Sequence, residues 1–175
     1  MQLNKPISGQ YPAYYDTYFL LVDDKKGILD QLHEDAEKFG NIISKLPQDK
    51  WHYAYAENKW TVFSLIQHVI DCERIMTYRA LCIARGEKQM LPGFEENDYA
   101  KAANMQHKTS GILALEWMAV RQATLSFFIG LNDQECNQIG NANNNPMSVS
   151  ALAYIIVGHS RHHFNILAER YFGNK

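Results

Sequence analysis

The sequence is short of several things, and each shortage narrows the reading. It has three cysteines, Cys72, Cys82 and Cys136, an odd number with no paired spacing. That excludes a disulfide framework and suits a reducing cytosol. Neither sign of charge is in excess: 17 Lys and Arg face 19 Asp and Glu, a net charge of −2. A broad basic nucleic-acid surface and a polybasic membrane binder are thereby excluded. The N-terminus, Met-Gln-Leu-Asn-Lys-Pro, runs into polar and aromatic residues with no apolar targeting core. No run is read as approaching the ~18 apolar residues of a membrane span. These absences predict a soluble, cytoplasmic protein with no nucleic acid and no membrane as partner. Phosphate-cradling glycine loops, dinucleotide fingerprints and a Ser–His–Asp order are also missing. No repeat and no linker interrupts the 175 residues, of which 46% are hydrophobic. A single domain over residues 1–175 is expected, with residues 1–22 as a lead-in packed on it.

Strand signals are weak and helical periodicity is strong. The segment Asp24–Leu46 carries Ile28, Leu32, Phe39, Ile42, Ile43 and Leu46 at the three-, four- and seven-residue steps of one helix face. Pro47 stops it. Tyr11–Val22 is aromatic and reads as a short leading helix. A second helix starts at Thr61, whose hydroxyl suits an N-cap, with Trp60 and Leu65 at the positions of a hydrophobic staple. Its inward stripe reads Leu65, His68, Cys72, Ile75 and Arg79, and Gly86 ends it. Residues 87–108 form a long polar connection containing Leu91-Pro92-Gly93-Phe94. A connection of that length lets the next helix run parallel to the second. The third helix is expected from Thr109 to Gly130, with Ile112, Leu115, Trp117, Ala119, Leu125 and Phe128 among its apolar residues. Residues 140–146 read as a polar turn. The fourth helix opens at Ser148 as N-cap, with Met147 and Leu152 as its staple, and its stripe runs Leu152, Ile155, Ile156, His159, His163, Ile166, Leu167. Four long helices at this length predict an all-α four-helix bundle with one long crossover.

Histidine is the residue present in quantity. There are seven, and three of them fall within five residues. His159 and His163 are four apart, so on a helix they share one face, one turn apart, and can share a metal ion. His68 lies on the apolar stripe of the second helix, seven residues from its start. Antiparallel packing of the two helices brings the three rings to similar depth. One histidine on an apolar stripe is usually a core residue satisfied by a hydrogen bond. Three on two stripes are costly to bury without a shared partner. Three neutral imidazoles with an open position suit zinc, and also nickel or iron. Ser160 follows His159, so the glutamate base of zinc-protease helices is absent. Leu65, Ile156 and Ser160 stand three residues before His68, His159 and His163, so the Glu-x-x-His template of di-iron bundles fails too. His33, His52 and His107 read as surface residues. Arg79 and Arg170 read as partners of acids such as Glu116 or Glu169.

Three stretches together resemble the DinB/YfiT-like superfamily. They are Lys59-Trp60-Thr61 leading to His68-Val69-Ile70-Asp71-Cys72-Glu73-Arg74, then Leu91-Pro92-Gly93-Phe94, then Gly158-His159-Ser160-Arg161-His162-His163-Phe164-Asn165-Ile166-Leu167. The resemblance runs from about Tyr14 to Tyr171. It implies an up-down-down-up bundle with its crossover between helices 2 and 3. It implies one divalent metal ion, zinc or nickel, on His68, His159 and His163, and a homodimer. It also implies thiol-dependent chemistry, in which some members transfer bacillithiol or a related thiol and one isomerises maleylpyruvate with mycothiol. The expected function is a low-molecular-weight-thiol S-transferase acting on a small electrophile. The alternatives are a metal-dependent hydrolase and a non-catalytic stress-response metal-binding or interaction protein. Cys72 departs from the small residue usual in relatives; it reads as a buried filler with a secondary claim as ligand or reactive thiol. Asp71 and His162 are the other candidates for supporting the ligands, Asp71 by orienting an imidazole. No general base is identifiable.

Overall fold

The computed structural model describes residues 3–104 and 106–173. Seven α-helices and one hairpin appear among them: α1 Asp16–Phe19, α2 Ile28–Ser44, α3 Val62–Ala84, α4 Glu96–Ala102, α5 Ser110–Ile129, α6 Asp133–Cys136, β1 Ile139–Ala142, β2 Asn145–Ser148 and α7 Val149–Ile166. The four long ones, α2, α3, α5 and α7, make an up-down-down-up bundle. Within it α2 packs on α5 and α7, and α3 packs on α7 and α5. The long crossover joins α3 to α5 and carries α4.

The starts of the helices follow from their caps. Thr61 Oγ1 accepts the Ser64 N–H at 3.1 Å at the head of α3. Ser148 Oγ accepts the Ala151 N–H at 3.0 Å at the head of α7. Each satisfies a first-turn donor that would otherwise lack a partner. At its far end α7 runs on into a π-type turn over Leu167–Tyr171.

Three expectations need correcting. The polar turn at 140–146 is a β-hairpin, with Gly140 opposite Met147. Asn143 and Asn144 take φ of 53° and 61° at its tip, a conformation asparagine tolerates better than most residues. Leu91 of the crossover joins this hairpin: its N–H donates to Asn141 O and its carbonyl accepts the Asn143 N–H, both at 2.9 Å. Second, only some of the apolar residues named for α5 face inward. Leu113, Trp117, Arg121, Thr124, Leu125 and Phe128 are buried, whereas Ile112 and Leu115 are 44% and 72% exposed. Third, α5 has the length and hydropathy of a membrane-crossing segment, which contradicts the reading that no run comes near one. By those measures alone the core helix of a bundle looks the same, and here α5 lies against α2 and α3 with Arg121 fully buried.

The apolar core forms two clusters, and the break between them positions the site. On α7 one cluster ends at Val157 and the other begins at Phe164. On α3 the break falls between Ile70 and Met76. His159 and His163 occupy the gap on α7, and Cys72 occupies it on α3. The lead-in closes over this gap. A Cβ on Gly158 would stand 2.3 Å from the Tyr18 carbonyl oxygen, so only glycine lets α1 approach α7 this closely.

Candidate metal centre

Antiparallel packing of α3 and α7 brings the three histidines together. The ring centroids lie 5.0 Å apart for His68–His159, 4.8 Å for His68–His163 and 4.5 Å for His159–His163. The Nε2 atoms of His68 and His159 are 3.0 Å apart. Two nitrogens bound to one tetrahedral zinc at ~2.0–2.1 Å stand about 3.3 Å apart, so the observed pair is close to ligand spacing. His163 Nδ1 is buried and has no hydrogen-bond partner. A buried nitrogen of that kind normally costs about 1–3 kcal/mol unless something pairs with it. Among the described residues the donor atoms within ligand reach of one another are those of His68, Cys72 and His159, and His163 joins them by ring proximity; a His-rich set of this kind fits a borderline ion such as zinc or nickel.

Electrostatics favour the ligand form. Burial pushes His68 down to about 4. Burial, and then His68 and His162, push His163 down to about 3. His159 lies well below its ordinary value, chiefly through burial and then through the other three rings. All three are therefore neutral at pH 7, with lone pairs free to bind a cation. None of them hydrogen-bonds a carboxylate among the described residues.

Cys72 comes closer than its reading as a filler required. Its Sγ lies 3.5 Å from His68 Nδ1. The donor atoms of His68, Cys72 and His159 all lie within 4.8 Å of one another. Burial pushes the Cys72 thiol strongly up, with Glu96 and Asp71 adding and Arg79 opposing, so it is a protonated thiol at neutral pH. Asp71 does not orient an imidazole. Three residues carry it some 60° round the helix from His68, and its carboxylate accepts from Gln67 Nε2 at 3.0 Å and Arg74 Nη1 at 3.2 Å. His162 packs against Tyr18 with tilted rings at 5.3 Å and meets His163 edge-on at 5.0 Å, adjacent to the cluster. His33, His52 and His107 are exposed.

Several residues near the cluster have no sequence motif to mark them. Tyr18 meets His159 edge-on at 5.5 Å, and burial pushes its phenol up to about 12. Trp60 is more than a staple: its ring lies 4.6 Å from His68, and its Nε1 donates to Asn97 Oδ1 on α4 at 3.2 Å. A cleft of about 230 Å³ reaches Cys72 and His159, and its wall includes Tyr15, Tyr18, Arg79 and Glu96. Tyrosines three and four apart in the lead-in, at Tyr11, Tyr14, Tyr15 and Tyr18, were the one sequence signal for that wall. Arg79 and Arg170 are not paired with Glu116 or Glu169. Arg79 donates to the Pro92 carbonyl, Arg170 lies over Tyr55, and Glu116 takes Lys108, Arg74 and Gln67.

The family is identified by one comparison and the fold by another. The family model described as the DinB superfamily matches residues 31–167, most of the chain. A solved structure, YfiT from Bacillus subtilis, superposes with a TM-score of 0.71 at 14% identity, covering 95% of this chain and 93% of that one. YfiT is described as a probable metal-dependent hydrolase with an unusual four-helix bundle topology. No curated protein sequence matches this chain.

Proposed function

This chain belongs to the DinB superfamily, and from that premise we propose that it is a divalent-metal-dependent enzyme that joins a small thiol to an electrophile. The observation that carries the reading is the convergence of three neutral imidazoles, one with a partnerless buried nitrogen, beside a cleft. His68, His159 and His163 would hold the ion. An ion of this class binds a thiol and favours its thiolate, the nucleophilic form. A thiol of pKa ~8.5 needs far less activation than water at ~15.7, so a cluster without a hydrogen-bonded carboxylate suits thiol chemistry better. Tyr18 packs on His159 and Trp60 packs on His68. In the net reaction a sulfur–carbon bond forms, the bond from carbon to the leaving group breaks, and the leaving group departs with the bonding pair. The thiol proton ends on the leaving group or in solvent.

The test is a thiol-consumption assay with monobromobimane as electrophile and bacillithiol, glutathione or cysteine as thiol. Zinc- or nickel-loaded protein is expected to accelerate loss of at least one thiol, and a chelator to remove the acceleration. No acceleration with any of the three would end this reading. A hydrolase is the second reading, favoured by one observation: the Glu96 carboxylate lines the same cleft as Cys72 and His159. Thiol-independent ester cleavage that disappears in Glu96→Gln would select it instead.

A further inference from the structure

Three arginines reach into the bundle, and two of them have a carboxylate partner. Arg121 pairs with Glu73 through two 2.8 Å bonds. Arg161 pairs with Asp35 at 2.8 Å. Arg79 on α3 has none among the described residues, although it is only 4% exposed. Its Nη2 donates to the Pro92 carbonyl at 2.7 Å, its Nη1 meets the Met76 sulfur at 3.8 Å, and its guanidinium lies 5.8 Å from the centre of the Phe94 ring. A guanidinium stays charged in any protein setting, and its five donors are far from used up by one carbonyl and one thioether. Charges buried this deeply are ordinarily paired, because losing water without a counter-charge is costly.

Arg79 also stands in a particular place. It lines the 230 Å³ cleft that Cys72 and His159 line. Glu96 lines it too, but is exposed and does not pair with Arg79, so the buried charge is left for whatever enters. We propose that this cleft binds a small molecule through a carboxylate held by Arg79. Its reactive end lies toward the histidine cluster. The identity of that end as a thiol rests on the function proposed above; the carboxylate does not. The ligand class is then a carboxylate-bearing small thiol, and Arg79 sets the preference for it over a neutral thiol.

The experiment compares three probes by calorimetry on the full-length, zinc-loaded protein: N-acetylcysteine, N-acetylcysteamine, which lacks only the carboxylate, and succinate, which lacks the thiol. Wild type is expected to bind N-acetylcysteine roughly 10- to 100-fold tighter than N-acetylcysteamine, the span for a hydrogen bond to a charged group. Arg79→Gln should collapse that preference to within a few-fold. Arg79→Lys, which keeps the charge but loses the fork, should fall between and guards against a folding defect in the first variant. Equal binding of the two thiols by wild type would overturn the inference while leaving the thiol reading intact. Arg79-dependent binding of succinate without binding of either thiol would uphold the inference and remove the thiol reading. A preference that persists in Arg79→Gln would overturn it as well.

Discussion

Replacing His163 by alanine is expected to abolish stoichiometric binding of zinc or nickel and to leave the helical fold in place. His163 sits one turn beyond His159 on α7 and supplies the one imidazole nitrogen of the cluster that is buried without a partner. Changes to groups that merely support a metal ligand cost 10- to 100-fold in affinity, so loss of one of three ligands should exceed ~100-fold. The metal-free fold has little to lose. The variant removes an unsatisfied buried nitrogen, worth about 1–3 kcal/mol against folding, and leaves a small void that offsets the gain. Metal at 100 times its dissociation constant stabilises a folded protein by about 2.7 kcal/mol, and this increment should vanish in the variant. Calorimetric titration with elemental analysis, and melting curves with and without zinc, read both effects. Unaltered stoichiometry would move the ligand set to His68, Cys72 and His159, whose donor atoms already lie within 4.8 Å of one another. Cys72→Ala would then be the variant that loses the metal.

Glu73→Ala is expected to destabilise the protein by about 3–5 kcal/mol, or to prevent folding. Glu73 directly follows Cys72 on α3, and its side chain is 2% exposed. It accepts from Arg121 Nε and Nη2, both at 2.8 Å. Arg121 also donates to the Leu32 carbonyl at 3.2 Å and lies 4.5 Å from the Trp117 ring centre, so one guanidinium ties α5 to α2 and α3. Removing the carboxylate leaves that guanidinium buried and uncompensated. Changing both partners, Glu73→Leu with Arg121→Met, should recover most of the loss, because an apolar pair of similar volume carries no desolvation cost. Urea unfolding measures all three proteins. A loss below ~1 kcal/mol for the single change would show that Arg121 finds water or another partner.

The parts of this molecule legible in the sequence are those governed by local pattern. Helical spacing marked α2, α3 and α7, and side-chain chemistry marked Thr61 and Ser148 as caps. The same spacing placed His159 and His163 on one face, and the two apolar stripes brought His68 to them. The illegible parts depend on contacts distant in the chain or on patterns without a preferred face. Helix α5 is apolar around most of its circumference, so periodicity could not choose between Ile112 and Leu113 as the buried neighbour. The hairpin Ile139–Ser148 is too short and too polar for a strand signal, and it forms where Leu91 bonds to Asn141 and Asn143. Tyr18 reaches His159 across most of the chain, through a close approach that Gly158 permits. Arg79 looked like half of an ion pair because a buried arginine usually is one, and its lack of a carboxylate partner among the described residues shows only in three dimensions.

The central claim is that His68, His159 and His163 together hold one divalent ion with a position left for a small thiol. X-ray absorption at the zinc edge of the zinc-loaded protein tests it most directly. The account predicts imidazole nitrogens at ~2.0–2.1 Å with no sulfur shell in the protein alone, and one sulfur at ~2.3 Å once a small thiol is added. A first shell without imidazole, or a sulfur shell already present before any thiol is added, would contradict it.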